Sequence, residues 1–349
     1  MTYEHVPSGL IEEPLKVSEK DVIQYLEKVL SSHLLKTPYW RRFSFETDDL
    51  LGNTVIETVE NMLNRGFLVD EDYLRANWLD FLPEGYSGRV RFYQSSGTTR
   101  ERAIGHWDRA YVDYLVAYLK GALDEIYRLN EAFPPGRMRA LAHGPYGWYQ
   151  DEISELVWDY EGYLYFIGME TDGLKKVLRE KGVEEVLRIL SPLVRYTERV
   201  LEKDRINLAR TAPPLIGLFE KASEGIEAVI LSGVGTDVDF LKKTEEMFPN
   251  ARAIPLYGYY LFGDLVGIPK KREIAYYPNW PFTLVFPVKK TEEGYKVVDY
   301  GERGRLAVVV ARPEVLVVKI EDETAVRARP SGPFEWDGFA DPRRVIDGG

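Results

Sequence analysis

AVILSGVGTDVDFLKKTEEMFPNARAIPLYGYY, residues 228–260, contains one complete strand, helix and strand. Ala228 to Leu231 is a short apolar run that ends in Ser232-Gly233-Val234-Gly235, a buried strand entering a small-residue turn. From Asp237 to Phe248 the residues Phe240, Leu241, Thr244 and Met247 recur at helical spacing, Pro249-Asn250 stops the helix, and Ala251 to Pro255 is the next strand. Such units, repeated, predict an α/β fold in which helices cover a mostly parallel sheet.

The flanking sequence extends this pattern. Upstream, Val90 and Phe92 alternate before YQSSGTTRERAIGHW (residues 93–107), and Asp108 to Ala132 reads as a long amphipathic helix ended by Phe133-Pro134-Pro135-Gly136. Arg139 to Ala142 reads as a buried strand opening into HGPYGWYQ, residues 143–150. Tyr163 to Met169 is a further strand, Thr171-Asp172-Gly173 starts a helix, and Val183 to Leu190 with Ser191-Pro192 reads as another strand-helix step. Residues 18–77 carry helical periodicity, with Ser18 and Asp21 as an N-terminal cap. From Phe282 to Arg329 the character changes to short strands separated by turns, which predicts an antiparallel sheet or small barrel. Residues 330–349 carry too much Pro and Gly for an element. The expected division is a helical segment over 1–84, an α/β core over 85–280 and a β-rich subdomain with a tail over 281–349.

Composition narrows the function classes. With 56 acidic and 45 basic residues the net charge is −11, which disfavours nucleic acid and anionic membranes as partners. No apolar run reaches the roughly 20 residues of a bilayer span, and the N-terminus lacks a leader pattern, so a cytoplasmic location is expected. The absence of Cys removes disulfides and zinc-thiolate sites, and the low Met content with 29% charged residues resembles a thermophile's composition.

Ser95-Ser96-Gly97-Thr98-Thr99 places four hydroxyls and a run of backbone N–H groups in one small volume, a chemistry suited to polyphosphate oxygens. Together with IGHWDRAY, LSGVGTDVDFLKKTEEMFPNARAIPLYGYY and GYKVVDYGERGRLAVVVARPEVLVVKIEDET, it resembles the large N-terminal domain of adenylate-forming enzymes, in their phenylacetate-CoA ligase branch, over residues 85–325. The resemblance implies ATP-dependent activation of a carboxylic acid to an acyl-adenylate, with Mg2+, for a separate acceptor protein or CoA. It implies that Ser95, Ser96, Thr98 and Thr99 hold the β/γ-phosphates, with Gly97 admitting the backbone. Tyr257 stacks on adenine beside Gly258, and the turn Ser232, Gly233, Val234, Gly235 meets the adenine edge and the acyl carboxylate. Asp322 takes the ribose hydroxyls. The rings of Tyr146, Trp148 and Tyr149, behind His143, suit a flat aromatic acid; the alternative for His143 is a structural histidine.

The pattern also departs from the family. Arg100 stands where the family has Gly, adding a guanidinium near the phosphates. Tyr260 and Leu261 replace the family's Thr-Glu, and leucine cannot ligate magnesium, so Asp264 is the nearest substitute carboxylate for metal and catalysis. The chain ends before the family's C-terminal lysine-bearing domain. These departures leave open a nucleotide- or ligand-binding homologue without adenylation activity.

Overall fold

The computed structural model describes residues 1–94, 103–169, 177, 180–232 and 235–345. The hydroxyl loop with Arg100, the expected helix start at 171–173, and Gly233 and Val234 lie outside the described residues.

Six α-helices of ten or more residues are described: α1 (Glu19–Lys36), α2 (Val55–Asn64), α3 (Arg109–Tyr127), α4 (Trp148–Asp159), α5 (Val183–Lys203) and α6 (Val238–Met247). Four begin at side chains that accept a free backbone N–H. Ser18 accepts from Asp21, Thr54 from Glu57, Asp108 from Ala110 and Asp237 from Phe240, each contributing about 1 kcal/mol. The spacing that predicts α3 buries Tyr111, Leu115, Tyr118, Leu119 and Ala122 on one stripe.

The strands are β1 (Val90–Gln94), β2 (Ile104–Asp108), β3 (Arg139–Gly144), β4 (Tyr163–Gly168), β5 (Leu208–Thr211), β6 (Ala228–Leu231), β7 (Arg252–Tyr259), β8 (Gly263–Pro269), β9 (Ile274–Tyr276), β10 (Thr283–Thr291), β11 (Gly294–Val297), β12 (Arg303–Arg312), β13 (Val315–Ala328) and β14 (Gly338–Arg344). β1 and β2 pair as a separate antiparallel hairpin, Val90 opposite Asp108 and Gln94 opposite Ile104. The other twelve form one sheet in the order β11-β10-β12-β13-β14-β9-β8-β7-β6-β5-β3-β4. From β4 to β7 the pairing is parallel, and from β7 to β11 it is antiparallel. The expected β-rich segment is therefore continuous with the parallel core rather than a body apart. The sheet curls, because Tyr257 on β7 meets Phe339 on β14 and Glu323 on β13.

The N-terminal helices pack onto the antiparallel half. Tyr25, His33 and Trp40 hydrogen-bond the carbonyls of Ala311, Arg312 and Leu316 at 2.7, 2.8 and 3.1 Å. Among the described residues no helix is long and apolar enough to cross a membrane.

Two expectations are corrected. Residues 183–190 are the start of helix α5, which continues through Pro192. A proline leaves the carbonyl four residues earlier without its partner; here the Ser191 hydroxyl donates to the Arg188 carbonyl at 2.9 Å and fills that vacancy. The Pro- and Gly-rich tail is also structured. β14 inserts between β13 and β9, with Arg327 and Tyr276 both facing Phe339, while Trp336 donates to the Pro278 carbonyl at 2.7 Å. Deleting residues 331–349 would unpair the facing edges of β9 and β13. The expected outcome is loss of the single cooperative thermal transition by circular dichroism; an unchanged melt would mean that β14 adds nothing to the sheet.

Candidate functional site

The order of the parallel strands fixes where a site can form. The chain passes from β3 to β4 on one side, then returns across β3 to β5 and continues to β6 and β7 on the other. The crevice beyond the carboxyl ends of β3 and β5 is thus a topological switch point, the usual ligand position in an α/β sheet. Gly144, Thr211, Leu231 and Tyr259 end β3, β5, β6 and β7 along this edge.

Three segments meet there. The aromatic loop enters α4 through Gly147, whose φ of +103° suits glycine and whose open side faces Tyr93 of the hairpin. Trp148 stacks on Trp107 with rings 5.5 Å apart and 3° from parallel, and Trp107 donates to the Tyr260 carbonyl at 3.2 Å. Gly258 lies against Trp148, where a Cβ would come 3.5 Å from the indole. The hairpin, the aromatic loop and the Tyr257-Gly258 pair are therefore contiguous. Tyr149 turns into the crevice, its hydroxyl donating to the His143 carbonyl at 3.1 Å and 3.5 Å from the Ser232 hydroxyl. Tyr146 is exposed and packs its ring on Phe166. Gly235 is exposed with open space at its α-carbon.

Beneath the crevice lies a buried charge cluster that the sequence reading did not single out. Arg210 of β5 donates from Nη2 to Glu152 of α4 at 2.6 Å and also to Asp264 of β8. All three side chains are almost completely buried, and the guanidinium carbon sits 4.1 Å from the centre of the Tyr149 ring. The Asp264 backbone N–H donates to the other Glu152 oxygen at 3.1 Å. Burial pushes both carboxyls up, with Glu152 reaching about 8 because Asp264 adds to the burial and Arg210 only partly opposes it. Asp264 Oδ1 points at Gly258, where a Cβ would lie 2.3 Å away. The one sequence signal for this cluster was an arginine inside an otherwise apolar strand, Leu208–Thr211. Four residues are too few to show a periodicity that would identify the strand.

The arrangement does not fit Asp264 as a magnesium ligand. Mg2+ takes hard oxygens and keeps several waters, whereas Asp264 is dry and bound to a guanidinium that repels a second cation. Among the described residues no group of three His, Asp or Glu side chains could hold a metal ion. His143 is buried between the Thr211 and Thr197 hydroxyls at 3.0 and 2.8 Å, and burial lowers it to about 4. It stays neutral and is tied to the structure beneath the loop. Tyr257 packs on Phe262, Tyr276 and Phe339, and its hydroxyl donates to Glu323 at 2.7 Å. Glu321 and Glu323 turn to Tyr259 and Tyr257, whereas Asp322 is exposed and pairs with Arg305 at 3.0 Å. The structure thus brings Tyr257 to the residues flanking Asp322 and not to its carboxylate.

No family model and no curated protein sequence matches the chain. Among solved structures it resembles an open conformation of 2-hydroxyisobutyryl-CoA ligase in complex with 2-HIB-AMP and CoA, at 12% identity and TM-score 0.64, over 93% of this chain and 73% of that one. The same ligase in its thioesterification state, with the same two ligands, gives 12% identity and TM-score 0.65 over 93% and 66%. Its postadenylation state with R3-HIB-AMP gives 12% and 0.63 over the same shares. The chain thus has the fold of these ligases and spans 66% to 73% of their length.

Proposed function

We propose that the protein activates a small carboxylic acid with ATP, forming an acyl-adenylate that CoA or a separate acceptor then takes. One observation carries this reading. In a fold shared with ligases captured with an acyl-AMP and CoA, the aromatic loop, Ser232, Tyr257-Gly258 and the base of the hydroxyl hairpin meet at the switch-point crevice. In the step proposed, a carboxylate oxygen of the acid attacks the α-phosphorus of ATP, a new P–O bond forms, and the bond to the leaving pyrophosphate breaks. The chain's part is to hold the two reactants in line and exclude water.

Ser95, Ser96, Thr98 and Thr99 are the proposed phosphate contacts, with Gly97 giving backbone access and Arg100 adding charge. Tyr257, Gly258 and the turn 232–235 form the proposed nucleotide wall. Trp148, Tyr149 and Tyr146 line the proposed acid pocket, whose clustered rings favour an aromatic acid, as in the phenylacetate-CoA ligase branch. The Asp264–Arg210 pair favours a second reading, a binding protein without adenylation, because it commits the one carboxylate near Leu261.

Pyrophosphate exchange into ATP, measured across a panel of aliphatic and aromatic acids with magnesium, tests the reading. Acid-dependent exchange is expected, fastest with aromatic acids. Saturable ATP binding without exchange for any acid would replace the enzyme with the binding protein.

A further inference from the structure

A cleft of about 540 Å3 opens beside the hairpin, lined by Arg89, Arg91, Tyr93, Trp107, Arg109, Val112, Asp113 and Asp151. We propose that this cleft is a second anion site, built to hold the phosphate groups of a small-molecule ligand. The proposal goes beyond the adenylation reading and rests on it only for the choice of ligands tested.

Strand geometry brings the charges together. Residues 89, 91 and 93 alternate along one side of the chain entering β1, so two guanidiniums and a phenol line one wall, and Arg109 from the first turn of α3 faces them. Arg91 donates to Asp151 at 2.6 Å and to the Tyr93 hydroxyl at 3.3 Å. Arg109 is held by Glu155 at 2.6 Å and Asp113 at 2.7 Å. These pairs fix the guanidiniums without using all of their N–H groups, since each fork carries five donors. Arg89 is exposed and its guanidinium has no hydrogen-bond or ion-pair partner among the described residues.

The local charge contrasts with that of the whole chain. The lining carries three arginines against Asp113 and Asp151, a net of +1 within a protein of −11. Arg89, the guanidinium without a carboxylate partner among the described residues, is the charge left to draw an anion to that place. Planar forks suit the paired oxygens of a phosphate better than single ammonium groups do. The cleft is too small for a nucleic-acid duplex or a protein, and the half-buried Tyr93 ring stands beside the charges. Its position beside the hairpin suits two sources of phosphate, the leaving pyrophosphate and the phosphorylated end of an acceptor such as CoA.

Isothermal titration calorimetry of the full chain with pyrophosphate and with CoA, each without ATP, tests the site. Saturable binding of at least one is expected. The double variant Arg89→Gln, Arg91→Gln should weaken it about tenfold or more, since each lost contact is a charge-assisted hydrogen bond. Asp151→Asn, which releases Arg91, should tighten it. Both arginines are exposed, so the double variant should keep the wild-type circular dichroism spectrum and melt. Tighter CoA binding identifies the acceptor end, and tighter pyrophosphate binding identifies the leaving group. If neither ligand saturates, or the double variant binds both as wild type does, the proposal falls. ATP exchange, measured separately, decides the adenylation reading whichever way the titration goes.

Discussion

Arg210→Met is expected to destabilise the protein by about 3–5 kcal/mol, because it leaves Glu152 and Asp264 buried against each other with no cation between them. The triple replacement Arg210→Met, Glu152→Gln, Asp264→Asn should recover much of that loss, since it removes the uncompensated charge along with its partner. Denaturant titration of the wild type, single and triple variants checks this. A single variant as stable as the wild type would mean that Arg210 compensates no buried charge.

The same cluster fixes a pH dependence. The folded state holds the Glu152 proton more tightly than the unfolded chain does, up to about pH 8 against an ordinary 4.5. Its contribution to stability is therefore complete below pH 4.5 and is lost as pH rises towards 8. The buried histidines His33, His106 and His143 run the other way. Burial lowers each from 6.5 to about 4, so the stability they contribute is present above pH 6.5 and is lost as pH falls towards 4. Between pH 6.5 and 8 these histidines are silent and the Glu152 term remains. Stability should decline with rising pH in that window, and Glu152→Gln should flatten the decline; a wild type whose stability is level from pH 6.5 to 8 would contradict the raised carboxyl.

Gly258→Val is expected to remove most of the acid-dependent exchange. A Cβ at 258 would meet Asp264 Oδ1 at 2.3 Å, and that oxygen cannot swing aside freely, because Arg210 holds the carboxylate by its other oxygen and Glu152 holds the Asp264 backbone N–H. Its other neighbour, the Trp148 indole at 3.5 Å, is pinned in its stack on Trp107. The added side chain must displace either the buried cluster or the proposed acid and nucleotide wall. We expect a stability cost of about 1–3 kcal/mol from overpacking, and a loss of exchange of a hundredfold or more, since displacements of about 1 Å at a reacting centre cost that much. Gly258→Ala should show the same effects in milder form. If Gly258→Val binds ATP and acid with wild-type affinity, the ligands lie elsewhere.

The sequence by itself determined the alternation of strand and helix through the parallel half, because buried four-residue strands, capped helices and Gly/Pro punctuation are local signals. Ser18 caps α1 through the Asp21 backbone N–H, three residues on, without help from distant residues. It also marked the aromatic loop and the Tyr257-Gly258 pair, whose neighbourhood the strand order then supplied. Only the tertiary structure decided two further points, each through residues far apart in the chain. The tail became a strand because β9 and β13 left a slot for it, which no local propensity in a Pro- and Gly-rich segment encodes. Asp264 was bound to Arg210, 54 residues earlier, and so was withdrawn from the solvent-facing chemistry that its place near the Tyr-Gly pair suggested. The reason is common to both: hydrogen bonding and charge pairing between distant segments depend on what the fold brings within about 3 Å, and the order of residues alone does not state that distance.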